Sequence, residues 1–301
     1  MSVALSMDGA FGFGLQAAKG VYLAPTTWLP LMADSDTPVD TVEWKKNYVM
    51  LDMADGKDYQ TSYYSAGEWA EGRLRFPVIP GSVSQLFAWI QDRDGDNQGK
   101  WASALIDCVH EVKKLTDLKV GKAVFDLVKG EPVTCTLEVA GLKMESGGTA
   151  NPVMPLSAPY LFREAKVELS VGGQAVAEDV NCEAIRIEIN TMLEDPAEGL
   201  RLGETGNPTQ LYNLAGLRCT GSLSRDFVDA AVYGDFVAGQ EAALVLTLER
   251  DVTVATIQLP RVLYSGSDLG LPGSHARRIV EEVSFVALGS ADGLTPPVVL
   301  A

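Results

Sequence analysis

The stretch DRDGDNQGKWAS sets Asp92, Asp94, Asp96 and Gln98 at alternate positions, the spacing at which a calcium loop presents its oxygen ligands. The comparison fails twice. Asn97 stands where such a loop needs glycine, and Ser103 stands where it needs a bidentate glutamate. The stretch reads first as a solvated turn, with calcium binding the minor alternative. The two histidines, His110 and His275, are far apart in sequence, too few for a zinc cluster or a catalytic triad. The glycines of GAFGFG (residues 9–14) neither follow a strand nor open a helix, so the context of a dinucleotide fingerprint is missing. Glu281 and Glu282 are adjacent and would face opposite sides of a strand. Cys108, Cys135, Cys182 and Cys219 show no CxxC spacing and read as buried small hydrophobes in a reducing compartment. No catalytic, cofactor-binding or metal-binding residue is expected, and the chain does not read as an enzyme.

With chemistry set aside, the bulk properties narrow the class. A length of 301 residues suits two domains, because single cores stop growing near 250 to 300 residues. The formal charge is −16, with 14 basic against 20 acidic residues in 1–155 and 10 against 20 in 156–301. The excess is therefore shared and is not an acidic tail. Such a surface does not adhere to phosphate backbones, which are held by Lys and Arg. No apolar run approaches the roughly 18 residues of a membrane span. The opening MSVALSMDGAFGFG lacks the basic and apolar blocks of a signal peptide, so ordinary export is not expected.

The elements come in two rounds. GSVSQLF (81–87) returns as GSLSRDF (221–227), and the same offset of 140 carries Gly99, Ala102, Val112 and Thr116 onto Gly239, Ala242, Val252 and Thr256. A constant offset predicts two copies of one domain. The expected boundaries are an extended apolar arm at 1–35, a first copy at 36–148, a linker at 149–160, a second copy at 161–290 and a tail at 291–301. In each copy, alternating runs such as TVEWKKNYVML and EAIRIEIN predict strands. Val83, Leu86, Phe87 and Ile90 recur at helical spacing behind Ser82 or Ser84 as caps, and SRDFVDAAVYGDFVAG predicts the helix of the second copy. Long polar excursions, about Asp52 to Gly67 and Thr191 to Gln210, predict a flap in each copy. The fold expected is mainly β: two tandem sandwiches or barrels, each flanked by one α-helix.

The arm GLQAAKGVYLAPTTWLPL, the helix entry GSVSQLFAWI, the run CTGSLSRDFVDAAVYGDFVAG followed by ALVLTLERDVTVATIQLPRVLY, and the ending EEVSFVAL together resemble the tail tube proteins of long-tailed bacteriophages. The resemblance spans most of the chain and rests on diffuse patterns. It implies a virion component, assembled in the bacterial cytoplasm, whose rings stack into a hollow tube through which double-stranded DNA passes as non-specific cargo. It implies self-association together with terminator, tape measure and distal tail proteins, and no membrane. If each copy supplies one sixth of a ring, three chains close a pseudo-hexamer. An acidic bore would then repel the duplex and let it slide. The parts left over after each core is counted are assigned to assembly: Phe11, Phe13, Leu23 and Trp28 in the arm, Tyr63 and Tyr64 in the first flap, Leu200 and Leu202 in the second.

Two rivals share the fold class. A two-domain carbohydrate- or receptor-binding β module would use the aromatics Tyr63, Tyr64 and Trp69 but leaves the arm idle. A tube-forming relative from a contractile tail or secretion system shares the sandwich, usually in single copy.

Overall fold

The computed structural model describes residues 9–32, 42–51, 62–108, 111–170, 174–199, 208–270 and 279–301. Strands dominate. The first half runs β1 (Ala10–Leu15), β2 (Thr27–Pro30), β3 (Val42–Leu51), β4 (Ser62–Pro77), helix α1 (Val83–Gln91), β5 (Ala102–Asp107), β6 (Val112–Val128) and β7 (Thr134–Ser146). The second half runs β8 (Ala165–Leu169), β9 (Ala177–Glu178), β10 (Cys182–Asn190), β11 (Arg218–Asp226), α2 (Ala231–Ala238), β12 (Glu241–Arg250), β13 (Thr253–Gly270), β14 (Val280–Ala287) and β15 (Val299–Leu300).

The pairing order is the same in both halves. In the first, β2-β1-β5-β6-β7-β4-β3 are successive antiparallel neighbours. In the second, β9-β8-β12-β13-β14-β11-β10 follow in turn. A helix sits between the fourth and fifth strand of each set in chain order. The two ladders meet where β10 pairs with the C-terminal part of β6, from Ala184 opposite Val128 to Asn190 opposite Lys122. A single hydrogen-bonded sheet therefore runs through both halves.

Period-two alternation explains the burial. Ile185, Ile187 and Ile189 of β10, like Ala123, Phe125 and Leu127 of β6, point into one core, while Arg186, Glu188, Lys122 and Asp126 point away from it. The α1 stripe of Val83, Leu86, Phe87 and Ile90 is buried as its spacing predicts. Ser82 precedes the helix, but its hydroxyl donates to the Ile79 carbonyl at 2.9 Å and makes no cap bond. Val133, Cys135, Leu137 and Val139 are buried; Thr134 and Thr136, expected on an open face, are nearly closed from solvent as well. All four cysteines are free thiols.

Several expectations change. The arm is not a free extension, because β1 pairs with β5 along its whole length and with β2 on its other side. Phe11 and Phe13 are fully buried and stack with Trp89 of α1, at centroid distances of 6.3 and 5.0 Å. Their apolar surface is used inside the chain, as is that of Trp28 and Leu29. Ser62–Gly67 belongs to β4 and not to a flap, and Trp69 is buried with its indole N–H donating to Glu71 at 2.7 Å. In the tail, β15 pairs with β13.

The repeated heptad also divides. GSVSQLF enters α1, whereas GSLSRDF lies in β11. The offset of 140 places β3, β5, β6 and β7 over β10, β12, β13 and β14 but sets a helix over a strand at the heptad itself. The environments of the two leading glycines differ accordingly. A Cβ on Gly81 would meet nothing within 4 Å, while one on Gly221 would sit 2.4 Å from the Arg186 carbonyl oxygen and 2.4 Å from the Phe285 ring. Gly81→Ala is expected to leave stability nearly unchanged, and Gly221→Ala to cost about 1–3 kcal/mol by overpacking. Urea unfolding of both variants checks this, and equal midpoints would contradict the assigned phase of the two heptads.

Candidate assembly surfaces

Strand edges are the first surfaces with unspent hydrogen-bonding capacity. Among the described residues β3 pairs only with β4, so its other edge is unpaired. On β13, β12 occupies one side up to Leu263 and β14 occupies the opposite side from Val262 to Gly270. Beyond Leu263, the first side carries no described strand. In β6 the corresponding stretch is the one that β10 covers. An open edge of this kind is a template for another strand.

The two helices differ in the same sense. Leu86 and Ile90 of α1 are fully buried. The tail lies against this helix: Gln91 accepts from the Leu300 N–H at 2.5 Å, and Val298 and Leu300 join the same core. On α2, Tyr233 and Val237 are 43% and 66% exposed, and Val228 just before it is 61% exposed. The helix ends at Gly239 in the left-handed conformation, φ 64°. Thus the second half leaves open both an edge and a helix face whose counterparts in the first half are covered.

A buried lysine secures the base of the second excursion. Lys119 Nζ donates to the Leu211 carbonyl at 2.7 Å and to Asn213 Oδ1 at 3.2 Å, and stands over the Trp101 ring at 4.5 Å. Asn213 also donates to the Thr191 carbonyl and accepts from the Gly99 N–H, both at 2.8 Å. These bonds tie Thr191 and 211–213 to the first half. Burial pulls the Lys119 pKa down to about 8. Nothing in the spacing of LTDLKVGKAVF sets this lysine apart from its exposed neighbours.

Along the junction, charges interlock. Lys122 meets Glu188 at 2.8 Å, and Arg186 meets Glu188 at 2.9 Å and Asp126 at 3.3 Å. The hydrogen bond from Lys122 is the main reason that Glu188 is held below the usual carboxylate range. Partial burial lifts Asp126, against the opposing pull of Arg186, Arg75 and Arg73.

Asp94 Oδ1 accepts from the N–H groups of Asp96 and Gln98, at 3.0 and 2.8 Å, which makes the acidic stretch a self-bonded turn. His110 and His275 lie outside the described residues. A groove of about 770 Å³ between β3, β4, β7 and Leu193–Pro196 is lined by Glu43, Glu71, Glu138 and Glu194 with Lys45 and Arg73.

A family profile described as phage tail tube protein matches residues 3–285. The chain belongs to that family. The match takes in both halves and the junction, so the edge-rich β architecture is that of a structural component of the phage tail. No curated protein sequence matches the chain. Of the residues assigned to assembly, Phe11, Phe13 and Trp28 sit in the core, and Leu23 is exposed on the loop between β1 and β2. Tyr63 and Tyr64 lie in β4 with side chains outside the description, and Leu200 and Leu202 lie outside the described residues. The open β13 edge and the α2 face were missed, because they become visible only once pairing partners are known.

The lysine gives a pH signature. An unfolded lysine titrates near 10.4, so between about pH 8 and 10.4 the unfolded chain holds a proton that the folded one has released. Stability from this group therefore rises with pH across that window. Lys119→Met is expected to cost about 1–3 kcal/mol near neutral pH by stranding buried acceptors. It should also remove this rise from the unfolding free energy. Parallel pH slopes for the two proteins between 8 and 10 would refute the assignment.

Proposed function

We propose that this tail tube family member is a duplicated subunit, three copies of which close a ring around a DNA conduit, the rings stacking into the tube. The observation that carries the reading is the β6–β10 pairing, which joins two ladders of identical order edge to edge. The same junction made between chains would pair the open side of β13 with the open edge of β3. These two open edges then satisfy each other.

The arithmetic favours three chains. Along the sheet each chain would contribute β3, β4, β7, β6, β10, β11, β14 and β13. Strands spaced about 4.8 Å apart and tilted about 40° give roughly 45–50 Å between opposite backbones for three chains, and roughly 30 Å for two. Sixteen strands make a porin-sized channel, too narrow for a duplex once lined with side chains. The α2 face, with Tyr233 and Val237, would be covered by the neighbouring chain as α1 is covered by the second half.

Matching rows set the register. Arg73, Glu138 and Lys122 form one row of the first ladder; Ser222, Ser284 and Gly266 form its counterpart in the second. Carrying the junction over puts Lys45 opposite Gly266 of the next chain. A Cβ at Gly266 meets only Ser284 Cβ, at 3.8 Å, so cysteine fits there. The purified protein is expected to form hollow filaments of uniform width in electron microscopy, and Lys45→Cys/Gly266→Cys to oxidise into a covalent ladder that stops at three chains. Discrete monodisperse particles would favour a binding module, and a ladder running past three would exclude the closed trimer.

A further inference from the structure

The side of the sheet turned away from the core carries a charge pattern unlike the rest of the chain. Across β4, β7, β6 and β10 the outward residues Arg73, Glu138, Lys122, Glu188, Arg186 and Asp126 alternate in sign, three cations with three carboxylates. Arg73 is directly opposite Glu138, Glu138 is opposite Lys122, and Arg186 is opposite Asp126. The chain as a whole carries −16. These six balance among themselves, while the same side also carries Arg75 and Glu71 of β4, Glu43 of β3 and the directly opposite Glu282 and Asp268 of β14 and β13, so the side as a whole is acidic.

Geometry says which way the face points in a closed ring. The common core, including α1 and β1, lies on the opposite side of the sheet. Circumference grows with radius, so a ring closed through the sheet has room for this bulk only on the outside. The polar side then forms the wall of the bore.

We infer that the cations of the wall are neutralised where they stand, in a ladder: Glu188 and Asp126 occupy Lys122 and Arg186 so that neither is free to grip a passing polyanion. This rests on the tube reading above and adds to the acidic bore expected from net charge a reason why its cations do not hold the duplex. The field of opposite charges about 3 Å apart fades well within the roughly 8–10 Å over which single charges act at physiological ionic strength. A duplex meets hydroxyls such as Ser222 and Ser284 and paired ions, none of which exchanges for its counterions.

The test uses tubes assembled from the full chain and an end-labelled linear duplex, with co-sedimentation measured across salt. Wild-type tubes are expected to retain little duplex at 50 mM salt. Asp126→Asn/Glu188→Gln tubes, which leave Lys122 and Arg186 uncompensated, should retain at least tenfold more, with retention falling steeply as salt rises. Replacing Lys122, Asp126, Arg186 and Glu188 together by Gln or Asn should restore the wild-type level. Normal variant tubes with no added retention overturn the ladder and leave the tube reading standing. Loss of tubes in the double variant alone makes the ions a structural joint and also overturns it. Absence of wild-type tubes strikes the tube reading, and the ladder with it.

Discussion

Backbone N–H and C=O groups along a strand edge need partners, and in this chain one side of β6 is divided between two of them. β5 takes the stretch up to Leu118, and β10 takes the stretch from Lys122. That division is possible because β6 is 17 residues long, about twice what one hairpin partner needs. It makes the second half continuous with the first without a separate interface, and all the main apolar residues merge into one cluster. β13 is 18 residues long for the same reason, yet only one part of its corresponding side is filled. Among the described residues, the length of the strand thus leaves hydrogen-bonding capacity unspent along β13.

Side-chain chemistry stabilises the joint without adding great energy. The ion pairs at Lys122, Glu188, Arg186 and Asp126 are partly exposed, a class worth about 0–1 kcal/mol each. What they do supply is phase. A one-residue slip of β10 along β6 would turn Ile185, Ile187 and Ile189 outward and bury Arg186 and Glu188. The Lys119 network adds a second anchor three residues before Lys122 on β6, holding 211–213 across the first half. Two anchors on one ladder fix the angle between the halves.

How much of this was legible in the sequence depended on range. Local periodicity placed α1, β3 and β10 within a few residues, because alternation and the 3.6 period are written in contiguous letters. The constant offset of 140 matched most strands to their counterparts. It failed at GSVSQLF and GSLSRDF, where seven similar residues form a helix start and a strand. Packing decides there: Phe285 and the Arg186 carbonyl crowd Gly221, while Gly81 faces open space. The arm was misread for a related reason. FGFGL alternates over too short a run to separate a core strand from an apolar extension, and what buries Phe11 and Phe13 is Trp89, more than 70 positions away.

Net charge says little about any one face, because it averages over surfaces that act separately. A total of −16 fits both a uniformly acidic surface and one with a neutral strip between acidic margins. Strand register separates these cases, since directly opposite residues on neighbouring strands sit about 5 Å apart and neutralise each other before a distant ion senses either. The neutral strip falls on the junction strands. The groove beside it, between β3 and Leu193–Pro196, gathers Glu43, Glu71 and Glu194. At the β6–β10 junction Lys122 and Arg186 meet carboxylates directly, while the carboxylates of the margins act at longer range.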